Sequence, residues 1–199
     1  MSLLQACNPC PVIKSNVIEG DNQLSNNFFN TINNFTSLKC VLFNACSFKN
    51  KLSALHHLLH TDSPDIVCIT ETWLHSGVSD SLLIDNLPYS VFRKDRDNSP
   101  HGGVCILTKN VTVNSSVVQI PSIYSHLELA VIDISTSAGS LRMFNCYRPP
   151  TNNDRDSVCT KYISDLCSCI SSLYPSNSTV IIVGDFNFPR INRMVASVY

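Results

Sequence analysis

The stretch Thr179–Asn192 reads TVIIVGDFNFPRIN. Its β-branched run Val180 to Val183 predicts a strand buried on both faces, and that strand runs straight into Gly184, Asp185, Phe186 and Asn187. A carboxylate and an amide where an apolar strand gives way to a loop is a frequent placement for reacting groups in α/β proteins. Strand alternation puts Asp185 and Asn187 on one side and sends Phe186 the other way, into packing. An Asp/Asn turn after a strand is also ordinary chain reversal, so the other strand ends carry the weight. Asn44 closes LKCVLFN, Glu71 follows DIVCIT, and Tyr147-Arg148 closes LRMFNCYR. Four strands ending on polar or ionisable groups supply two carboxylates, two amides and a phenol. Gathered in one place, that inventory suits hydrolysis of a phosphodiester. Glu71 is suited to Mg²⁺ (or Mn²⁺), a hard cation that takes oxygen ligands and keeps several waters. The metal would neutralise the scissile phosphate and stabilise the departing oxyanion. Asp185 would orient or deprotonate the attacking water, and Asn187 would donate to the phosphate.

These residues need a scaffold that brings four strand ends together. A strand over Leu38 to Asn44 leads into NKLSALHHLLH, where Leu52, Leu55, Leu58 and Leu59 make a helical stripe. Asp62, Ser63 and Pro64 end it, and DIVCITET starts a second strand. This strand–helix–strand spacing predicts parallel pairing. YSVFRKDR, GVCILTK, SVVQI, HLELAVIDIS and LRMFNCY follow as short strands linked by turn residues, a mostly antiparallel run. After the loop RPPTNNDRD, a helix is expected from about Asp154 to Leu173, striped by Tyr162, Ile163, Leu166, Ile170 and Leu173. The sum is an α/β sandwich of layers.

Composition bounds the reading. A chain of 199 residues with 44% hydrophobic and 15% charged residues fits one globular domain with a sizeable core. The net charge of −1 gives no global attraction to nucleic acid, so a DNA partner needs a local basic patch. No apolar run reaches membrane-spanning length, and MSLLQACNPCPVIK lacks the order of a signal peptide. No membrane partner is expected, and the four sequons carry little weight. Ten cysteines fall below the density of a disulfide scaffold. Cys40, Cys68, Cys105, Cys146 and Cys167, inside predicted elements, act as small hydrophobes. Cys7 and Cys10 form a C-x-x-C without a second pair at zinc spacing. Reduced thiols favour an intracellular compartment, nucleus or cytoplasm, over secretion. Residues 1–37 are Asn-rich without a sustained period and read as a poorly ordered leader, with the domain over 38–199.

In order and wording, FNACSF, TETWL, RKDRDNSPHGGVCIL, FNCYRPP and VIIVGDFNFP resemble the endonuclease/exonuclease/phosphatase superfamily. Within it they are most similar to the N-terminal endonuclease of non-LTR (LINE-type) retrotransposon polyproteins. The likeness runs from about Leu38 to Asn192. It implies a four-layer α/β sandwich, two mixed sheets flanked by helices, and a divalent-metal nuclease that nicks target duplex DNA. It requires no small-molecule cofactor beyond the metal. Asn44 and Glu71 match the metal-site pair, Tyr147 the phosphate-contacting tyrosine, and Asp185 and Asn187 the polar pair of the GDFN motif. Arg93, Lys94 and Arg96 precede Gly102-Gly103 as in the family; Arg96 and Arg148 become substrate-binding candidates, although most basic runs are solvated faces.

Departures from the pattern matter too. Family members usually continue to a Ser-Asp-His, whereas here twelve residues follow Asn187, and Arg193 replaces a usual tryptophan. The expectation is therefore a domain incomplete at its C-terminus, with the strand at Thr179–Val183 lacking a neighbour and DNA nicking impaired. Losing an acid/base partner costs about 10²–10⁴-fold. A non-catalytic remnant that at most binds nucleic acid is the alternative, and another phosphoesterase of the superfamily a lesser one.

Overall fold

Two strand–helix–strand units frame the chain, and an antiparallel run lies between them. The computed structural model describes residues 38–96, 100–136, 139–150, 156–175 and 179–187. The leader 1–37, Cys7 and Cys10, and the segment after Asn187 lie outside the described residues. The elements are β1 (Cys40–Asn44), α1 (Leu52–Thr61), β2 (Ile66–Thr70), α2 (Ser81–Ile84), β3 (Tyr89–Lys94) and β4 (Val104–Lys109). Then come β5 (Asn114–Val117), a 3₁₀ turn (Ser122–Tyr124), β6 (Glu128–Thr136), β7 (Gly139–Tyr147), α3 (Asp156–Ser172) and β8 (Thr179–Asp185).

One sheet has the order β1-β2-β4-β3 and the other β5-β6-β7-β8. The parallel pairs are β1 with β2 and β7 with β8, each joined through a helix; the remaining pairs are antiparallel. The run of short strands is thus divided between β4 and β5, two of its strands joining the first sheet and three the second. Periodicity cannot show that division, because both sheets use the same alternation.

Three apolar layers hold the sandwich together. Ile66, Cys68, Val104 and Ile106 of the first sheet meet Ala130, Ile132, Met143 and Tyr147 of the second. On the outer face of the first sheet, Leu55 and Leu59 of α1 and Leu83 of α2 pack over Val67, Ile69 and Leu107. On the outer face of the second, Leu166 and Cys169 of α3 cover Leu129, Val131, Phe144 and Cys146. The architecture is therefore the four-layer α/β sandwich, helices outside two mixed sheets.

Several local expectations need correction. β8 is half-buried rather than buried on both faces, and Ile182 is 42% exposed. Among the described residues it is an edge strand paired only with β7, so β-branched content reflects fit to a pleated surface rather than double burial. On α3, Ile163 is exposed, and Cys169 is the fully buried position. Cys68, Cys105 and Cys146 are buried as expected, but Cys40 and Cys167 are exposed. The α2 turn in DSLLID was not anticipated; four residues are too few to show a period.

Candidate functional site

The site is built where parallel strands end side by side. Pairing aligns Asn44 of β1 with Thr70 of β2, so Asn44 comes beside the next residue, Glu71. In the other sheet Tyr147 of β7 is aligned with Asp185 of β8. The two pairs then meet across the sandwich. Asn44 Nδ2 donates to Glu71 Oε1 at 2.8 Å and to Asp185 Oδ2 at 2.9 Å. One amide thus bridges two carboxylates carried by different sheets. The backbone N–H of Cys46 donates to Asn44 Oδ1 at 2.9 Å, which fixes the orientation of the amide.

The loops leaving these strands are held in costly backbone conformations. Cys46, Ser47, Glu71, Trp73 and Asn187 all have positive φ, between 45° and 82°. Each such non-glycine residue costs on the order of 1–3 kcal/mol, and such residues cluster at functional sites. Strand-like pairing past the strand ends imposes these angles: Ser47 N–H donates to the Glu71 carbonyl at 2.9 Å, and Trp73 N–H to the Gly102 carbonyl at 2.8 Å. Gly103 completes the frame at φ +84°, where a Cβ would lie 2.6 Å from Thr72 Oγ1.

Tyr147 forms the next wall. It is 4% exposed, and burial followed by the nearby Glu71 carboxylate, to which it hydrogen-bonds, pushes its phenol pKa up. The group therefore stays a neutral hydrogen-bond donor at physiological pH. Arg96 places its guanidinium 5.8 Å from the centre of the Tyr147 ring, a distance at which cation–π attraction operates. Arg96 Nε donates to Glu128 Oε1 at 2.7 Å, and the backbone N–H of Gly103 donates to Glu128 Oε2 at 2.6 Å.

Five of the residues singled out by sequence thus converge: Asn44, Glu71, Tyr147, Asp185 and, behind the tyrosine, Arg96. Asn187 sits next to them, with its Nδ2 donating to the Arg148 carbonyl at 2.8 Å and its N–H to Asp185 Oδ1 at 3.2 Å. Phe186 turns into the outer core, as strand alternation requires. Arg148 differs from a surface substrate contact. It is 2% exposed, and its Nη1 donates to the carbonyl of Asn187 at 2.5 Å and of Phe186 at 3.4 Å. It clamps the GDFN loop onto β7. The basic run is also engaged internally: Arg93 pairs with Asp80 at 3.0 Å, and Lys94 donates to the carbonyls of Ser125 and Leu127.

Two buried polar residues escaped the sequence reading. Glu128 is 7% exposed and holds Arg96. Asn145 is fully buried between the sheets, its Nδ2 donating at 2.9 Å to the carbonyls of Ile69 and Cys105. The available signal was a charged or amide residue inside an apolar strand, in HLELAVIDIS and LRMFNCY, because a buried polar group is the informative exception.

The two carboxylates of Glu71 and Asp185 are hard oxygen donors, bridged here by the Asn44 N–H, and among the described residues no three His, Cys, Asp or Glu converge on one point. This donor set fits a hard divalent cation that keeps waters, and it does not fit a closed zinc site. Among the described residues no helix is long and apolar enough to cross a membrane.

Residues 41–195 match the model of the Endonuclease/Exonuclease/phosphatase family, and the chain belongs to that family. No curated protein sequence matches it. Among solved structures it is similar to NExo, a 3' phosphatase from Neisseria bound to a product DNA hairpin, at 17% identity and TM-score 0.60, covering 76% of this chain and 58% of that one. The endonuclease domain of TRAS1, a telomere-specific non-LTR retrotransposon, aligns at 16% identity and TM-score 0.55, covering 75% and 60%. An AP endonuclease from Archaeoglobus fulgidus aligns at 19% identity and TM-score 0.54, covering 75% and 57%. The chain spans about three-fifths of the length of these structures. At these identities the likeness is one of fold.

Proposed function

We propose that this chain carries the metal- and phosphate-binding residues of a DNA-nicking endonuclease site, of the kind found in non-LTR retrotransposons. The observation that supports this most is the amide of Asn44 bridging Glu71 and Asp185 from opposite sheets, beside the buried Tyr147 that is paired in register with Asp185. A two-carboxylate cluster with a neutral donor suits a phosphate whose charge is met by a divalent ion. Glu71 would hold Mg²⁺ (or Mn²⁺), joined by Asn44 once its amide oxygen, which here accepts from Cys46, turns toward the ion; the ion supplies Lewis-acid neutralisation of the phosphate when bound. Asp185 orients the attacking water and takes its proton. Tyr147 donates to a phosphate oxygen. Asn187 is released from the Arg148 carbonyl to donate to a second one, and Arg96 adds positive charge behind the tyrosine ring. Arg148 acts through the loop that it clamps. The wording of TETWL, YRPP and GDFN, together with the TRAS1 fold likeness, favours target duplex DNA over other phosphoesters.

The two histidine–aspartate pairs among the described residues lie on the outer helical layers, His60 with Asp85 and His126 with Asp165. A positioned acid/base pair is worth about 10²–10⁴-fold, so nicking by these residues alone is slow. The experiment is a supercoiled-plasmid assay with Mg²⁺, together with calorimetric Mn²⁺ binding. Slow, metal-dependent nicking lost in Asp185→Ala, and metal binding weakened in Glu71→Gln, are expected. Nicking that needs no metal or survives Asp185→Ala, or metal binding unchanged by Glu71→Gln, would remove the assignment.

A further inference from the structure

Trp73, two residues beyond Glu71, is held in a conformation that bulky residues rarely adopt. Its φ is +55°, where a side chain of this size is a genuine outlier. Its backbone N–H is pinned to the Gly102 carbonyl at 2.8 Å. Its ring meets the exposed imidazole of His101 edge-on, with centroids 4.3 Å apart and planes at 89°. The indole nitrogen is buried, with no hydrogen-bond partner among the described residues, while the residue as a whole stays partly open. Whatever of the indole side chain is accessible is therefore ring carbon.

This aromatic step adjoins the site. His101 precedes Gly102, and a Cβ on Gly102 would lie 2.5 Å from the Arg96 guanidinium carbon. Arg96 in turn covers the Tyr147 ring. An aromatic pair one residue from the glycine that Arg96 covers, with Arg96 itself over the Tyr147 ring, has the composition of a surface that stacks nucleobases along a nucleic-acid strand. The backbone strain, and an indole N–H that finds no partner among the described residues, are both tolerated to keep the indole here, and packing alone asks for neither.

We propose that Trp73 and His101 form a stacking step for an unpaired nucleobase adjoining the scissile phosphate. The substrate strand is then locally unpaired when it is bound. This rests on the nuclease reading above and adds to it the form of DNA that is recognised.

Trp73 is the single tryptophan of the chain, so intrinsic fluorescence reports on it directly. The full 199-residue protein is titrated in EDTA with a labelled single-stranded dodecamer, with the same strand made entirely of abasic sites, and with blunt duplex. Label anisotropy follows binding, and tryptophan emission follows stacking. The base-bearing strand should quench emission over the range in which it binds, and the abasic strand should bind without quenching. His101→Ala should weaken binding of the base-bearing strand by about five- to tenfold, and that of the abasic strand less than about twofold. Binding of the base-bearing strand with unchanged emission, or equal quenching by the abasic strand, overturns the stacking step and leaves the nuclease reading standing. Absence of binding by all three oligonucleotides overturns both.

Discussion

Gly184 offers the sharpest test of how strand pairing builds the site. It lies in β8 at φ +144°, opposite Cys146 of β7. A Cβ added there would overlap the Cys146 carbonyl oxygen and lie 2.7 and 2.8 Å from that residue's C and N. Real Cβ atoms do not come so close to backbone, and a strand backbone has no rotamer with which to give way. In Gly184→Ala, β7 and β8 must separate locally. Backbone strain contributes about 1–3 kcal/mol, and overpacking about 1–3 more. A destabilisation near 4 kcal/mol follows, against a total of about 5–15 for a domain. For a chain of this size the melting midpoint should fall by about 8–16 °C. The neighbouring pair in the same register is Tyr147 with Asp185, so both site residues move with the strands. A misplacement of about 1 Å is worth about 10²-fold in rate, and nicking should fall further than stability does. Differential scanning fluorimetry and the plasmid assay read the two effects. Ile182→Ala, at an exposed position on the same strand, serves as the control and should cost less than about 1 kcal/mol. A Gly184→Ala protein melting within about 2 °C of the parent would refute the close approach of the two strands and the register drawn from it.

Three further outcomes are expected. Glu128→Gln leaves the Arg96 guanidinium without its charge partner; because Arg96 is 24% exposed on its side chain, the cost should sit at or below the low end of the range for a broken buried pair, about 2–3 kcal/mol. Urea denaturation checks it, and a loss under about 0.5 kcal/mol would contradict it. Arg148→Met removes the clamp on the Phe186 and Asn187 carbonyls and should speed hydrogen exchange at the Asn187 amide; unchanged protection there would show that the loop holds itself. Alkaline pH should destabilise the fold. Burial pushes the Cys105 and Cys146 thiols above their ordinary value of 9.0. The unfolded chain therefore loses those protons first, and the stabilisation present below about pH 9 is lost as pH rises beyond it. Two thiols contribute up to about 2.7 kcal/mol per pH unit, and melting under reducing conditions from pH 8 to 10 that stays flat would contradict this.

Much of this architecture can be read from local pattern. Leucines at helical spacing between two short apolar strands require a parallel β1–α1–β2 unit, because the chain must cross over to bury that face. Alternation alone sends Phe186 away from Asp185. The polar residues ending four strands are visible as types, and their family wording assigns them a chemistry. What local pattern cannot carry is which strand ends meet. Asn44 and Asp185 are 141 residues apart, and their hydrogen bond exists only because the antiparallel run divides between two sheets that then stack. The same is true of Arg148: its sequence neighbours mark it as a cation at a strand end, but the loop after β8 folds over it and turns its charge inward. Glu128 and Asn145 are polar residues in apolar strands whose partners come from β4, β2 and the approach to Gly103. Periodicity records which face a residue occupies within its own element, and only the packing of elements decides what that face meets.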